Sequence, residues 1–377
     1  MYERYPYPTK PRGVISDVHP RLLLSYLEGP LPSRPLRILD AGCGTGSASL
    51  GTAMCNPQAQ VTAIDMNRSA LDQVRTEAAE LGLTNLEVRE ADLMTLEGLT
   101  VPEGGFDVIF CSGVLHHLSR PAQGLGCLAR ALAPRGVMRL MVYGRLGRHG
   151  LYRFVEALDA LYPERTHLEE RLELGRRLMA GVEPDSPVCQ PPWQDVGRID
   201  DVEFVDRYLN LNDNSYLVGE LLDLVEGAGL RGLRWYEPRH WSLAGVCADE
   251  DLVRRVEALE PRRRWAMVER LAQRPQLDLI VAPASARERA HPANLRLEFV
   301  ALSPQVALRM STRSAGGSVM VYHATATLRE GGERPLTPQE KLVLERACPG
   351  PVPVASLGAA ESLIASLLAE ELLYRPV

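Results

Sequence analysis

Between residues 36 and 144 the chain alternates short, largely apolar runs with stretches of helical periodicity. The apolar runs are LRILDAG (36–42), QVTAIDM (60–66), LEVREAD (86–92), FDVIFCS (106–112) and GVMRLMVYG (136–144). Apolar strands that alternate with helices are typical of a parallel sheet covered on both faces. Ligands of such sheets bind at the carboxyl ends of the strands, near the point where the strand order reverses.

The residues beyond 144 extend this pattern after an insertion. Residues 150–180 have helical periodicity, 181–200 form a proline-rich loop, and 215–230 have the pattern of an amphipathic helix. Two more strands are predicted at RGLRWYEP (231–238) and QLDLIVAP (276–283). We therefore expect an α/β fold with a seven-stranded, mostly parallel sheet and helices on both faces. The insertion at about 145–230 is expected to provide a lid or substrate-binding element.

The pattern changes again after a predicted linker at 284–294. Two strand-like runs, LRLEFVAL and SVMVYHATATL, precede two helical runs, TPQEKLVLERA and AESLIASLLAEELLY. This order predicts a small C-terminal α+β domain that is winged-helix-like, without the basic surplus that DNA binding requires. The predicted divisions are an N-terminal arm and helix (1–35), a main domain (36–285) and this small domain (286–377).

Composition excludes several classes of protein. The seven cysteines are odd in number and form no CxxC pair, so neither a disulfide framework nor a zinc site is expected. With a formal net charge of -6, the chain has no general attraction to nucleic acid. The sequence shows neither a signal peptide nor an apolar run long enough to span a membrane. We expect a cytoplasmic protein that binds no metal, nucleic acid or membrane.

A glycine-rich loop follows the first predicted strand in the pattern D-x-G-x-G-x-G, beginning at Asp40. A dinucleotide-binding loop needs a third glycine five positions after Gly42, and Ser47 occupies that position. Glycines at this point allow a ligand to approach the backbone closely. An acid immediately ahead of them suits an ammonium or sulfonium group better than a pyrophosphate.

These motifs together resemble class I S-adenosylmethionine-dependent methyltransferases, which have a Rossmann-like fold. LDAGCGTGSASL is similar to their first motif, VTAIDMN to the second and READLMTL to the adenine-binding segment, and the resemblance extends over residues 36–144. It implies that Asp40 and the glycine loop bind the methionine part, Asp65 the ribose and Asp92 the adenine. The implied cofactor-binding residues are Asp40, Gly42, Cys43, Gly44, Gly46, Asp65, Met66, Asp92, Leu93 and Ser112, and S-adenosyl-L-homocysteine would be the product.

The acceptor side is expected after the fourth strand, where the adjacent His116 and His117 lie in the sequence GVLHHL. Where the acceptor atom carries a proton, a nearby base is useful, and either imidazole has suitable chemistry. The YPYP stretch and GVLHHL resemble bacterial methyltransferases in which an N-terminal arm covers the cofactor and a lid covers the substrate. The candidate catalytic residues are His116, His117 and Tyr143, and the candidate substrate-binding residues are Tyr5, Tyr7, Arg145 and Tyr208.

Three functions follow from these candidates. The first is methyl transfer to a small-molecule metabolite, the second is methylation of a peptide or protein held by the C-terminal domain, and the third is non-catalytic sensing of the cofactor. Nucleic-acid bases are not expected as acceptors, because CSGVLHH lacks the proline-rich motif of base-amine enzymes and Cys111 has no adjacent proline. The apolar helix predicted at 361–373 is compatible with a monomer or a homodimer.

Overall fold

The computed structural model describes residues 4–5, 19–183, 185–186, 188–189, 199–290, 295–315, 318–328 and 333–376. The chain forms two compact units. Residues 34–285 belong to the first, whereas 17–33 join 286–377 in the second.

The first unit contains one seven-stranded sheet with the order β3-β2-β1-β4-β5-β7-β6. Its strands are β1 (Arg37–Ala41), β2 (Gln60–Asp65), β3 (Leu86–Glu90), β4 (Phe106–Ser112), β5 (Leu132–Tyr143), β6 (Leu230–Trp235) and β7 (Gln276–Pro283). The first five strands pair in parallel, and β7 runs antiparallel to both β5 and β6. The predicted seven-stranded, mostly parallel sheet is therefore confirmed.

Helices cover both faces of this sheet, and the central strands are accordingly apolar on both sides: Ile38, Leu39, Val108 and Ile109 are fully buried. The helices of the chain are α1 (Pro20–Leu24), α2 (Ser47–Cys55), α3 (Arg68–Glu80), α4 (Pro121–Ala131), α5 (His149–Leu161), α6 (Leu168–Gly181), α7 (Asp201–Tyr208), α8 (Val218–Gly227), α9 (Glu250–Glu257), α10 (Pro261–Ala272), α11 (Pro338–Ala347) and α12 (Glu361–Ala369). None of the helices described is long and apolar enough to cross a membrane.

The helical region predicted at 150–180 is two helices. Helix α5 ends before Tyr162, whose backbone is extended, because Pro163 disfavours the helical conformation of the residue that precedes it. Further on, α7 begins at a cap in which the Asp200 side chain accepts a hydrogen bond from the Glu203 amide at 2.8 Å. Much of the proline-rich loop, including 190–198, lies outside the described residues.

The strand order reverses between β1 and β4. The chain passes outward from β1 to β2 and β3, and then returns to place β4 on the other side of β1. The loops after β1 and β4 therefore face each other across a crevice. Gly42, with φ of +82°, lies so close to the second loop that a Cβ atom there would be 2.5 Å from Val114 Cγ2. Only glycine fits this position without a shift of the neighbouring loop.

The second unit has its own hydrophobic core and two small antiparallel sheets, with the orders β11-β10-β9 and β12-β8-β13. Its strands are β8 (Phe299–Leu302), β9 (Val306–Ala315), β10 (Ser318–Leu328), β11 (Glu333–Pro335), β12 (Val352–Pro353) and β13 (Leu373–Tyr374). The helix predicted through 373 ends at Ala369 instead. Glu371 takes a positive φ of 58°, and the chain then pairs with β8 as β13. The unit is a small α+β unit, as expected.

The predicted arm of 1–35 is divided between the two units. Residues 1–3 and 6–18 lie outside the described residues, whereas the segment that includes α1 is hydrogen-bonded to the C-terminal part of the chain. The Glu28 amide donates to the Arg287 carbonyl at 2.9 Å, and the Arg289 amide donates to the Tyr26 carbonyl at 2.8 Å. The Tyr26 hydroxyl also donates to Glu371 at 3.1 Å. The second unit is therefore built from both ends of the chain.

Two leucines of the second unit test whether this N-terminal segment is an integral part of it. Leu27 is 2% exposed, whereas Leu342 on α11 is 47% exposed. We expect Leu27→Ala to lower the free energy of unfolding of this unit by about 2–4 kcal/mol, because it removes buried methyl groups. Leu342→Ala, the control, should change it by less than about 0.5 kcal/mol. Equal effects in urea denaturation would show that the segment does not belong to this unit's core.

Candidate functional site

The carboxylate of Asp40 lies buried at the carboxyl end of β1, at the start of the glycine loop. The Ser49 hydroxyl of α2 donates a hydrogen bond to it. Burial raises the pKa of Asp40 to about 6, against the lowering effect of Ser49, and the negative charge of Asp65 raises it further. A cationic group placed beside Asp40 would relieve this unfavourable burial of a negative charge.

The carboxylate of Asp65, at the end of β2, connects the two neighbouring loops. Its two oxygens accept hydrogen bonds from the Gly44 amide and the Asn67 amide, each at 2.9 Å. Asn67 in turn caps α3 through the Ala70 amide. Met66 follows and is 65% exposed, which leaves an apolar surface next to the acid.

Asp92 lies just after β3 in a tight turn. Its carboxylate accepts a hydrogen bond from the Met94 amide at 2.8 Å, and its amide donates to the Glu97 carbonyl. Leu93, predicted beside the adenine, has its side chain in the core of the sheet, so any contact of this residue with a ligand would use its backbone. Ser112 is exposed at the end of β4.

The groups at these strand ends fit S-adenosylmethionine. Carboxylates lie at or just beyond the carboxyl ends of β1, β2 and β3, and they would repel a pyrophosphate but attract an ammonium or sulfonium group. Within the described residues, the hydroxyls of Thr45 in the glycine loop and Ser47 at the start of α2 are buried without a hydrogen-bond partner. Buried polar groups are normally satisfied, so these two hydroxyls are consistent with a polar ligand at this loop.

The two cysteines near the site are unsuited to nucleophilic chemistry. Burial raises the pKa of the Cys43 thiol well above its usual range and that of the Cys111 thiol to about 12. Both thiols therefore stay protonated at neutral pH, whereas a cysteine nucleophile acts as the thiolate.

The adjacent histidines after β4 have different environments. His116 is 0% exposed and stacks on the Tyr143 ring with a centroid distance of 3.7 Å. Burial, with smaller contributions from His117 and Arg148, lowers the pKa of His116 well below its usual range. Neither of its ring nitrogens has a hydrogen-bond partner among the described residues. His117 is partly exposed, and its Nδ1 lies 3.0 Å from the Asn212 carbonyl oxygen.

The other predicted acceptor-side residues lie in different environments. Tyr143 is held between His116 and the Arg148 guanidinium, which lies 3.5 Å from its ring centroid. Arg145 forms an ion pair with Glu220 at 2.8 Å. Tyr208 is buried against Phe154 and Phe204, and its burial raises the pKa of its hydroxyl. Tyr5 packs on the same cluster, whereas Tyr7 lies outside the described residues.

Residues 210–216, NLNDNSY, which we call the asparagine segment, lie in the insertion predicted as a lid or substrate-binding element, but sequence reasoning missed their contacts with the loop that carries the histidines. Asn214 donates to the His116 carbonyl from its amide at 2.9 Å and from its side chain at 3.0 Å. Tyr216 donates to the Tyr143 carbonyl at 2.9 Å, and Tyr152 donates to Asp213. The segment is thus fastened to the ends of β4 and β5. Three asparagines in five residues were the signal that could have indicated it.

The sequence of this chain is similar to those of known methyltransferases and of an uncharacterized protein. Residues 32–171 match a family model described as a methyltransferase domain. The chain is 30% identical over 284 residues to an uncharacterized protein of Synechococcus sp., covering 72% of this chain and 67% of that protein. A ubiquinone biosynthesis O-methyltransferase of Alkalilimnicola ehrlichii is 33% identical over 158 residues, which are 41% of this chain and 61% of that enzyme.

Structural comparison extends the likeness to both units. PKMT2 from Rickettsia typhi superposes with a TM-score of 0.68 at 15% identity, covering 97% of this chain and 77% of that one. A second structure of PKMT2, in complex with AdoHcy, has a TM-score of 0.68 at 14% identity. This likeness confirms the Rossmann-like methyltransferase fold. With the methyltransferase domain and the acidic strand ends, the cofactor is S-adenosylmethionine.

The predicted contact of Asp40 with the cofactor implies that cofactor binding should depend on pH. A cationic ligand requires the ionised carboxylate, so below its pKa of about 6 binding must first remove a proton. We expect the affinity for S-adenosylmethionine to fall about tenfold between pH 7.5 and pH 5. Asp40→Asn should bind more weakly at pH 7.5 and lose this dependence. An affinity of the unmodified chain that calorimetry finds constant across this range would contradict the assignment of Asp40.

Proposed function

Because this chain belongs to the methyltransferase-domain family, we propose that it transfers a methyl group from S-adenosylmethionine to a small-molecule acceptor by in-line displacement. The observation that carries this proposal is the His117 imidazole, held by the asparagine segment just after β4. The name of the matched relative from Alkalilimnicola ehrlichii, an O-methyltransferase of ubiquinone biosynthesis, supports a small molecule as acceptor.

The residues divide the work between cofactor and acceptor. Asp40, Asp65 and Asp92 hold the cofactor by charge and hydrogen bonds at the strand ends. The bound sulfonium supplies an already activated methyl group, so positioning accounts for much of the catalysis. His117 then accepts the proton of the attacking group on the acceptor and later releases it to solvent.

His117 is the better candidate for the base than His116. The His116 ring is fully buried between packed groups, which leaves no exposed atom to meet an acceptor. His117 is partly exposed and is oriented through Nδ1, and we assign the proton-accepting role to its Nε2. His116 and Tyr143 then act by packing beneath the loop.

A second candidate acceptor is a peptide or protein. The observation that favours it is the second unit, which has its own core and whose larger part, residues 286–377, lies well beyond the matched methyltransferase domain. A unit of this kind can hold a macromolecular substrate. In a third alternative the chain only senses the cofactor, and no acceptor would be methylated.

The three functions differ in the destination of a labelled methyl group. We expect the intact chain, incubated with labelled S-adenosylmethionine and fractionated cell extract, to transfer label to the small-molecule fraction. Label in the protein fraction alone would replace the first candidate by the second. Cofactor binding without transfer to either fraction would leave only the sensing function.

Matched variants of the two histidines test the assignment of the base. We expect His117→Ala to lower kcat by about 10²–10⁴-fold, with little change in cofactor affinity, because the base is lost but the cofactor loop is intact. His116→Phe keeps a ring against Tyr143 and should retain most of the turnover. The reverse result, in which only His116→Phe abolishes turnover, would assign the base to His116.

A further inference from the structure

Two groups of the asparagine segment converge on one ring nitrogen of His117. Nδ1 lies 3.0 Å from the Asn212 carbonyl oxygen and 2.9 Å from Asn210 Nδ2. The carbonyl oxygen can only accept a hydrogen bond, whereas the side-chain NH2 can only donate one. Nδ1 therefore meets an acceptor and a donor at hydrogen-bonding distance, and it satisfies one or the other according to whether it carries a proton.

The orientation of the Asn210 amide is fixed by its other end. Asn210 Oδ1 accepts a hydrogen bond from the Asn212 amide at 3.1 Å. Turning the amide over would place its NH2 against that amide N–H, so the observed orientation is the one that satisfies both ends. The NH2 group is consequently directed at Nδ1.

The two neighbours favour opposite tautomers of the imidazole. With the proton on Nδ1, the ring donates to the Asn212 carbonyl and Nε2 carries the lone pair that accepts a proton. With Nδ1 unprotonated, the ring accepts a hydrogen bond from Asn210 at Nδ1, and Nε2 carries the proton instead. Because both states have a hydrogen-bond partner, the ring passes between them without leaving Nδ1 unsatisfied.

We propose that Asn210 is a positioning residue that sets which nitrogen of His117 carries the proton. This inference rests on the proposed function, in which His117 is the base. In the step considered, the acceptor's proton moves to Nε2 while Nδ1–H donates to Asn212, and the ring becomes an imidazolium. Loss of the Nδ1 proton to solvent then yields the tautomer that accepts from Asn210, and proton exchange with solvent restores the starting one.

Other charged and titratable groups face the same ring. The His116 ring meets it edge-on at 4.2 Å and the Tyr143 ring at 5.5 Å. Asp213 also lies near the ring. Burial raises the pKa of the Asp213 carboxyl overall, whereas the positive charges of Arg148 and of a protonated His117 lower it. These groups are the same in every variant proposed below, so changes at Asn210 are compared against a constant background.

Substitution of Asn210 by aspartate tests the proposal, since it replaces the NH2 donor by a carboxylate. A carboxylate next to Nδ1 favours the protonated ring, so the acid limb of the kcat–pH profile should move upward by about one pH unit or more. Asn210→Ala removes the donor that favours the unprotonated Nδ1, so it should move the acid limb in the same direction by a smaller amount, with little change in KM or cofactor affinity. Asn214→Ser is the control: Asn214 fastens the segment through the carbonyls of His116 and Leu118, without touching the His117 ring. It should lower the melting temperature and leave the acid limb in place.

A spectroscopic readout separates this inference from the proposed function. The ¹⁵N shifts of the His117 ring, assigned by their loss in His117→Gln, report the tautomer whether or not an acceptor is known. We expect Asn210→Asp and Asn210→Ala each to change the ¹⁵N shift of Nδ1. In Asn214→Ser this shift should stay close to its value in the unsubstituted chain. An unchanged Nδ1 shift and an unmoved acid limb in both Asn210 variants would overturn the inference. Full turnover of His117→Ala would instead contradict the proposed base alone.

Discussion

The structure of the site depends on the hydrogen bonds that Asp65 accepts from the backbone. One carboxylate oxygen holds the glycine loop through Gly44, and the other holds the start of α3 through Asn67. Hydrogen bonds to a charged acceptor are stronger than neutral ones, so this acid stabilises two adjacent loops at once. The result is an acidic edge at the carboxyl ends of β1 and β2, held by backbone hydrogen bonds.

The loop after β4, where the acceptor is expected, is held by contacts between residues that are far apart in the sequence. The functional groups there come from distant parts of the sequence, and main-chain hydrogen bonds bring them together. The asparagine segment contacts the loop after β4 through Asn214 and the end of β5 through Tyr216. Residues near 116 and 214 thus form one surface although about a hundred positions separate them. If His117 is the proposed base, these hydrogen bonds would hold it in position, which is what methyl transfer by positioning requires.

The sequence predicted those features whose cause is local. Apolar runs alternating with helical stretches predicted the strands of the large sheet, most clearly the central ones, which are buried on both faces. The glycine spacing after Asp40 predicted close approach of a ligand to the backbone; the structure shows Gly42 close to the Val114 side chain, and the approach of a ligand stays a prediction. Features with a distant cause were missed. Pairing of β13 with β8, which ends α12 early, and the hydrogen bonds between residues 26–28 and 287–289 leave no periodic trace in the sequence. The roles of the candidate site residues remain predictions.

The histidine pair shows the same limit within two adjacent residues. Sequence alone gives His116 and His117 equal chemistry, and their difference comes entirely from what packs on them. A buried stack against Tyr143 isolates one ring, whereas two groups of the asparagine segment orient the other.

The central claim concerns the acidic edge, and calorimetric titration of the chain with S-adenosylhomocysteine tests it most directly. The account predicts binding at one site, weakened by about tenfold or more in Asp65→Ala; no binding, or equal affinity in the variant, would contradict it.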